Sequence, residues 1–424
     1  MNINFVQKQN NMNRIILIGN GFDLAHNLPT KYEQFIIWYW EQWESVLRKS
    51  EKDEVNDSIC SFGIASDDKS IKDFIERFSE LRTLKGLDFI KTLRTITTFI
   101  IKECRFLSDI NKSIETKRWV DIEDVYYRLL KMSADSPKKY NFNAESLNKQ
   151  LCFLQTKLIE YLSRISIDDK MKNNHIHRII YGPIKYKDIS VSETDKLILH
   201  YKKWMTCTDS EWIMRLGLYG FKSDQMVNIN EYRKHNIVPD DWTTNYVNIQ
   251  ACPELFLYPD NIMLLNFNYT DTAKLYLPIP KPGFEINHIH GELSKPESVI
   301  FGYGDELDEN YKKISNLNDN EYLNNFKSFK YLESDRYRKA LQFMDAAPYQ
   351  VYIMGHSCGN SDRTLLNTLF EHRNCVSIKP YYFKDGDKDN YLDIVQNISR
   401  SFNDKKLMRD RVVNKTFCEP FSSI

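Results

Sequence analysis

The chain has 424 residues, and 58 Lys+Arg are balanced by 58 Asp+Glu, so its formal net charge is zero. That balance argues against general nucleic-acid binding, which draws on a basic excess over the footprint. Hydrophobic residues at 42% supply a sizeable core and exclude global disorder.

Residues 1–13 are polar and lack the apolar stretch of a signal peptide. No apolar run is long enough to span a bilayer, so a cytoplasmic protein without membrane contact is expected. Residues 14–19, Arg-Ile-Ile-Leu-Ile-Gly, read as a short buried strand closed by a glycine turn. Apolar spacing then predicts helices over 32–47, 71–84, 89–106, 122–132 and 147–162. The first of these carries Trp38, Tyr39, Trp40 and Trp43. Tyr39 and Trp43 share a face, which suits core packing or, alternatively, a homo-oligomer interface. Stretches 165–195 and 220–255, punctuated by Asn, Asp and Pro, read as irregular. Strand-like runs return only after about residue 258, at 262–267, 286–290, 299–302, 351–355 and 375–378. Each is short and apolar on both faces, as buried parallel strands are. A helix is expected over 363–372. The resulting architecture is one α/β domain, 1–30 with 256–424, interrupted by a mainly helical insertion or lid over 31–255.

Polar residues gather where these strands end. Gly19-Asn20-Gly21-Phe22-Asp23 follows the first strand. Two glycines there suit either a plain tight turn or the close approach of backbone to a phosphate at a helix start. Asp23 would cap the helix or accept from ribose hydroxyls, since a carboxylate repels a pyrophosphate. Asn266 and Asn268 flank Phe267 at the end of the second strand and are expected on one face. His288 and His290 end the next. They form either a metal pair, with Glu292 and Asp305 as further ligands, or one working base beside a structural partner. Gly355-His356-Ser357-Cys358-Gly359 has the spacing of a nucleophile elbow, with Ser357 as nucleophile and His372 as the one histidine that follows it. The eight cysteines include no C-x-x-C pair, which argues against a four-cysteine zinc site and against a disulfide framework.

Four blocks in this order resemble the bacteriophage abortive infection AbiH family. They are Ile-Leu-Ile-Gly-Asn-Gly-Phe-Asp-Leu-Ala-His over 16–26 with Leu28-Pro29-Thr30, Asn-Phe-Asn-Tyr-Thr over 266–270, His-Ile-His-Gly-Glu over 288–292, and Gly-His-Ser-Cys-Gly-Asn-Ser-Asp over 355–362. That family is distantly similar to sirtuin-like NAD-binding domains, including NAD-hydrolysing antiphage effectors. The resemblance implies a Rossmann-like parallel sheet with a family-specific helical insertion. It implies a nucleotide ligand, NAD as substrate or ligand, no metal, and an antiphage role with a phage-derived trigger. Residue by residue, it implies that Gly19 to Asp23, with Asn266, Ser357 and Asp362, hold the nucleotide. Asn268 would orient the ribose and a water, and His290 would serve as base. Deacylation is not expected without a zinc ribbon. Two rival readings stand beside NAD hydrolysis. One is a metal-dependent nuclease or nucleotide phosphohydrolase built on His288 and His290. The other is a non-catalytic nucleotide-sensing module.

Overall fold

The computed structural model describes residues 11–136, 139–235 and 254–423. The strands, numbered in chain order, are β1 Asn13–Ile18, β2 Glu54–Asn56, β3 Cys60–Ile64, β4 Phe99–Glu103, β5 Ile262–Asn266, β6 Phe284–His288, β7 Tyr349–Met354, β8 Cys375–Asp385, β9 Lys388–Asp389 and β10 Pro420–Ser423. The main sheet runs β6-β5-β1-β7-β8-β10, and every pairing along that path is parallel. The short β9 folds back antiparallel on β8. Counted in chain order, the six parallel strands lie 3-2-1-4-5-6, so the order reverses between β1 and β7.

The β-branched run of β1 is buried at all six positions because both sheet faces are covered. Ile15 and Leu17 point into a core with Val351, Leu366 and Ile398. Ile16 and Ile18 point the other way, against Ile176, Ile180 and Tyr276. The covering helices on the first face include Arg336–Ala346, Arg363–Phe370 and Tyr391–Arg400, and Asn174–Tyr181 lies on the second.

Strands are not confined to the two expected places. In the insertion β2, β3 and β4 form a separate antiparallel sheet. Asp57 sets its first turn by accepting from the Ile59 and Cys60 amides, at 2.8 and 2.9 Å. The helix expected over 89–106 is therefore two elements, Gly86–Leu93 and then β4. The one expected over 71–84 stops at Arg77 and continues as a 3-10 turn. No strand forms over 299–302; the nearest pairing is an isolated bridge from Tyr303 to Phe326. Strand β6 ends at His288, so His290 lies in the turn beyond it. Stretch 165–195 contains the helix Asn174–Tyr181. Of 220–255, Ser223–His235 is helical and 236–253 lie outside the described residues. Trp38, Tyr39, Trp40 and Trp43 are all buried, as core packing requires.

Segment 31–162 does not sit apart from the sheet. Its aromatic core continues into Tyr269, Phe301, Tyr303 and Phe326. Among the described residues no helix is long and apolar enough to cross a membrane.

Candidate functional site

The carboxyl ends of β1, β5 and β7 open onto a pocket of about 420 Å³, at the point where the strand order reverses. Parallel α/β sheets bind ligands at such a reversal, because the connections diverge there and leave a crevice. The volume falls within the range of about 300–1,000 Å³ usual for small-molecule sites. The sheet contributes Gly19, Asn20, Gly21, Asp23, Asn268 and Thr270 to the lining. From the later turns come His290, His356, Ser357 and Asp362, and the insertion adds Trp119, Asp121 and Glu123.

The turn after β1 owes its glycines to packing. A Cβ on Gly19 would come within 2.5 Å of the His356 Cα, and one on Gly21 within 2.8 Å of the Gly355 Cα. The Gly19 amide donates to the Met354 carbonyl at 3.2 Å, and that of Gly21 to the Gly355 carbonyl at 2.8 Å. Two of the amides that would cradle a phosphate are thus already engaged. The helix that follows, Asn20–Leu24, is a single turn with little dipole to offer.

Asp23 is the unusual group. It is 1% exposed. One carboxyl oxygen accepts from the Thr270 hydroxyl at 2.7 Å, and the other is buried with no partner. Burial pushes its pKa up to about 6, against the lowering effect of Thr270, Thr272 and Asn268 beside it. Asn268 is fixed by donating to the Gly19 carbonyl at 3.0 Å.

Behind the pocket lies a chain of buried charges. Lys327, 1% exposed, donates to Asp362 at 2.8 Å and to Glu123 at 3.1 Å. Asp362 also meets His290 Nε2 at 3.1 Å and His356 Nε2 at 3.5 Å. Burial pushes the Asp362 carboxyl up, but Lys327 and the two histidines outweigh it and hold the group well below the usual carboxylate range. Glu123 moves the opposite way: burial raises it more than Lys327 lowers it. One ammonium serves two carboxylates, and Asp362 keeps the charge. His290 is lowered to about 4 by burial and by Lys327, so it stays neutral. Its Nε2 lies 3.1 Å from the Tyr331 hydroxyl.

Two residues expected at the nucleotide are not in the lining. Phe22 packs in the core with its ring 5.5 Å from that of Tyr276 and 5.7 Å from that of Phe421. Asn266 is fully buried and braces the loop: it accepts from the Asn268 amide at 3.1 Å and donates to the Thr270 carbonyl at 3.3 Å and to His288 Nδ1 at 3.1 Å. The expected shared face of Asn266 and Asn268 fails because the strand ends at Asn266. Ser357 is exposed at the pocket rim. His372 stacks on Tyr349 at the start of β7, the opposite end of the strand from Ser357, so His372 does not serve the elbow.

His288 and His290 also part company. His290 turns to Asp362, and Asp305 pairs with Arg363 at 3.1 Å. His288 instead stands with Asp271 and Glu292, their ligand atoms within 4.8 Å of one another. That set suits a cation poorly. Because the Asn266 amide donates to His288 Nδ1, the ring proton sits on Nε2 and leaves no free lone pair. The Lys274 ammonium already lies 2.8 Å from Asp271.

The sequence reading missed Trp119, Asp121, Glu123 and Lys327 at this site. Asp121 and Glu123 open a helix, where acidic residues are ordinary, and Lys327 lies in no motif.

Fold and pocket together define an α/β protein with an acid-lined pocket at the carboxyl edge of a parallel sheet. The bacteriophage abortive infection AbiH family matches residues 15–383, most of the chain. The chain belongs to that family, and its role is in phage abortive infection. No curated protein and no solved structure matches it.

Proposed function

We propose that the pocket hydrolyses the bond between nicotinamide and ribose in NAD, and that this depletion is how the protein acts in abortive infection. Support for a nucleotide ligand comes from the 3-2-1-4-5-6 strand order, which is that of Rossmann-like dinucleotide-binding sheets. The observation that carries the chemistry is Asp23. A buried carboxyl in the pocket lining, with one oxygen free of a hydrogen bond and raised to about 6, suits a base that takes a proton near neutral pH.

In this reading the C1′–N bond breaks with its electron pair passing to the ring nitrogen, and nicotinamide leaves neutral without an acid. The ribosyl oxocarbenium that remains is captured by water, and the proton of that water passes to Asp23. Asn268, held beside Gly19, orients the ribose. The mechanism moves the base from His290, which is already neutral and committed to Asp362 and Tyr331, to Asp23. The family role, the strand order and the free carboxyl oxygen favour this reading over a metal-dependent one, for which Asp271, His288 and Glu292 make a poor donor set.

The test is to incubate the purified chain with NAD and follow nicotinamide release, with and without phage-infected lysate. Release that disappears in Asp23→Asn is the expected result. Wild-type protein that releases none under either condition would end the hydrolase reading.

A further inference from the structure

Six tryptophans fall among the described residues, and five of them are buried, at 0–8% exposure. Each of those five carries a ring contact: Trp38 on Phe35, Trp40 on Tyr39, Trp43 on Phe62, and Trp204 on Trp212. Trp119 is 61% exposed and, among the described residues, has no ring or cation partner. It lines the same pocket as Asp23 and Asn268.

The exposure of Trp119 is built in. The helix Arg105–Lys117 ends on Arg118 in the left-handed conformation, at φ 52°. Ser113 Oγ then donates to the Trp119 carbonyl at 3.0 Å. On the far side Val120 is 3% exposed, and Asp121 caps the next helix by accepting from the Asp124 amide at 3.1 Å. The backbone is anchored on both sides while the indole is left open at the mouth.

The charge of the lining is as uneven as its aromatic surface. Asp23, Asp121, Glu123 and Asp362 all line the pocket, and among the described residues no lysine or arginine does. Lys327 lies behind the wall, shared between Glu123 and Asp362. An anion entering the pocket would face carboxylates, and a cation would face carboxylates beside an indole. The latter is the arrangement that recognises flat or quaternary cations.

We infer that Trp119 and Asp121, both supplied by the helical insertion, form the recognition face for a planar cationic base. The pocket then takes an N-ribosyl pyridinium and discriminates against its neutral dihydropyridine form. This rests on the proposed function and assigns the insertion a part in it: the sheet handles the ribose and the insertion reads the base. The phosphates of a dinucleotide lie outside the acidic lining, toward solvent.

The experiment uses the full chain in the Asp23→Asn background, so that ligand is not consumed. Binding is titrated with nicotinamide riboside and with reduced nicotinamide riboside, the neutral form. The oxidised riboside is expected to bind about 10-fold tighter or better. Trp119→Ala should weaken it by about 3- to 30-fold, as loss of a cation–π contact does, and Trp119→Phe should keep most of the affinity. Asp121→Asn preserves the helix cap and should erode the preference for the cation. Equal binding of the two ribosides, no binding of either, or wild-type affinity in Trp119→Ala would each overturn the inference. Its failure is separable from that of the hydrolase reading. A cation preference without nicotinamide release in the wild type retires hydrolysis and keeps the recognition face. Release that is indifferent to Trp119 and Asp121 does the reverse.

Discussion

At the scale of single residues, the arrangement turns on a carboxyl that the fold leaves poorly satisfied. A solvent-exposed aspartate ionises near 3.8, whereas Asp23 is raised to about 6. The folded state therefore holds the Asp23 proton more tightly than the unfolded chain does. Stability from this group is full at low pH, falls as pH rises from about 4, and is lost above about 6. Asp23→Asn keeps an acceptor for the Thr270 hydroxyl and removes the charge. It should stabilise the protein at pH 7.5 by about 2–3 kcal/mol, with the gain gone at pH 3.5, as denaturation midpoints at the two pH values would show. The same change should lower nicotinamide release by at least about 100-fold. In the wild type kcat/KM should fall about tenfold per pH unit below about 6, because the base must be ionised. A pH profile flat down to 5 would remove Asp23 from that role. Asp23, Asn268, His290, Ser357 and Asp362 were legible because each follows an apolar run that ends in a turn. Their partners were not. Nothing local marks Lys327 as buried between two carboxylates, or Glu123 as more than part of an acidic helix start.

At the scale of elements, the two strand-end turns that form the pocket floor lock into each other. Gly355 adopts φ +75°, and a Cβ there would collide with the Phe22 backbone nitrogen and the Gly21 carbonyl carbon. Both penalties fall on backbone, which has no rotamer with which to yield. Gly355→Ala should cost about 3 kcal/mol or more and distort the pocket. Gly386→Ala is the control: φ is +56° with nothing within 4 Å of the new Cβ, so it pays only the left-handed cost of about 1–2 kcal/mol. Equal thermal shifts in the two variants would show that the turn packing matters less than the dihedral. The glycine pair at 19 and 21 was legible as a tight turn, but not the reason for it, since the crowding comes from a loop more than three hundred residues away. The main strands β1, β5 and β7 were legible because burial on both faces requires unbroken apolar runs. Strand β4 was not. Phe99 is 5% exposed and Ile100 40%, an alternation that five residues display too briefly against the helical spacing upstream.

At the scale of the whole molecule, the insertion is tied to the sheet by charge as well as by its shared aromatic core. Glu123 from the helix Ile122–Asp135 accepts from the Gly302 amide at 3.0 Å and from Lys327 at 3.1 Å. Lys327 reaches on to Asp362, between β7 and the helix that follows it. The insertion is thus linked, through Lys327, to the same carboxylate that both pocket histidines use. Lys327→Met should leave the ionised Asp362 without its cation and cost about 3–5 kcal/mol, the usual consequence of removing one partner from a buried ion pair. Adding Glu123→Gln should change little further, because burial already holds Glu123 toward its neutral form, and Glu123→Gln alone should cost much less than Lys327→Met. Urea denaturation of the three variants at pH 7.5 measures this directly. If the double variant were clearly more stable than Lys327→Met, Glu123 would carry a charge that Lys327 balances. The link between insertion and sheet would then include a second buried ion pair beside the aromatic core.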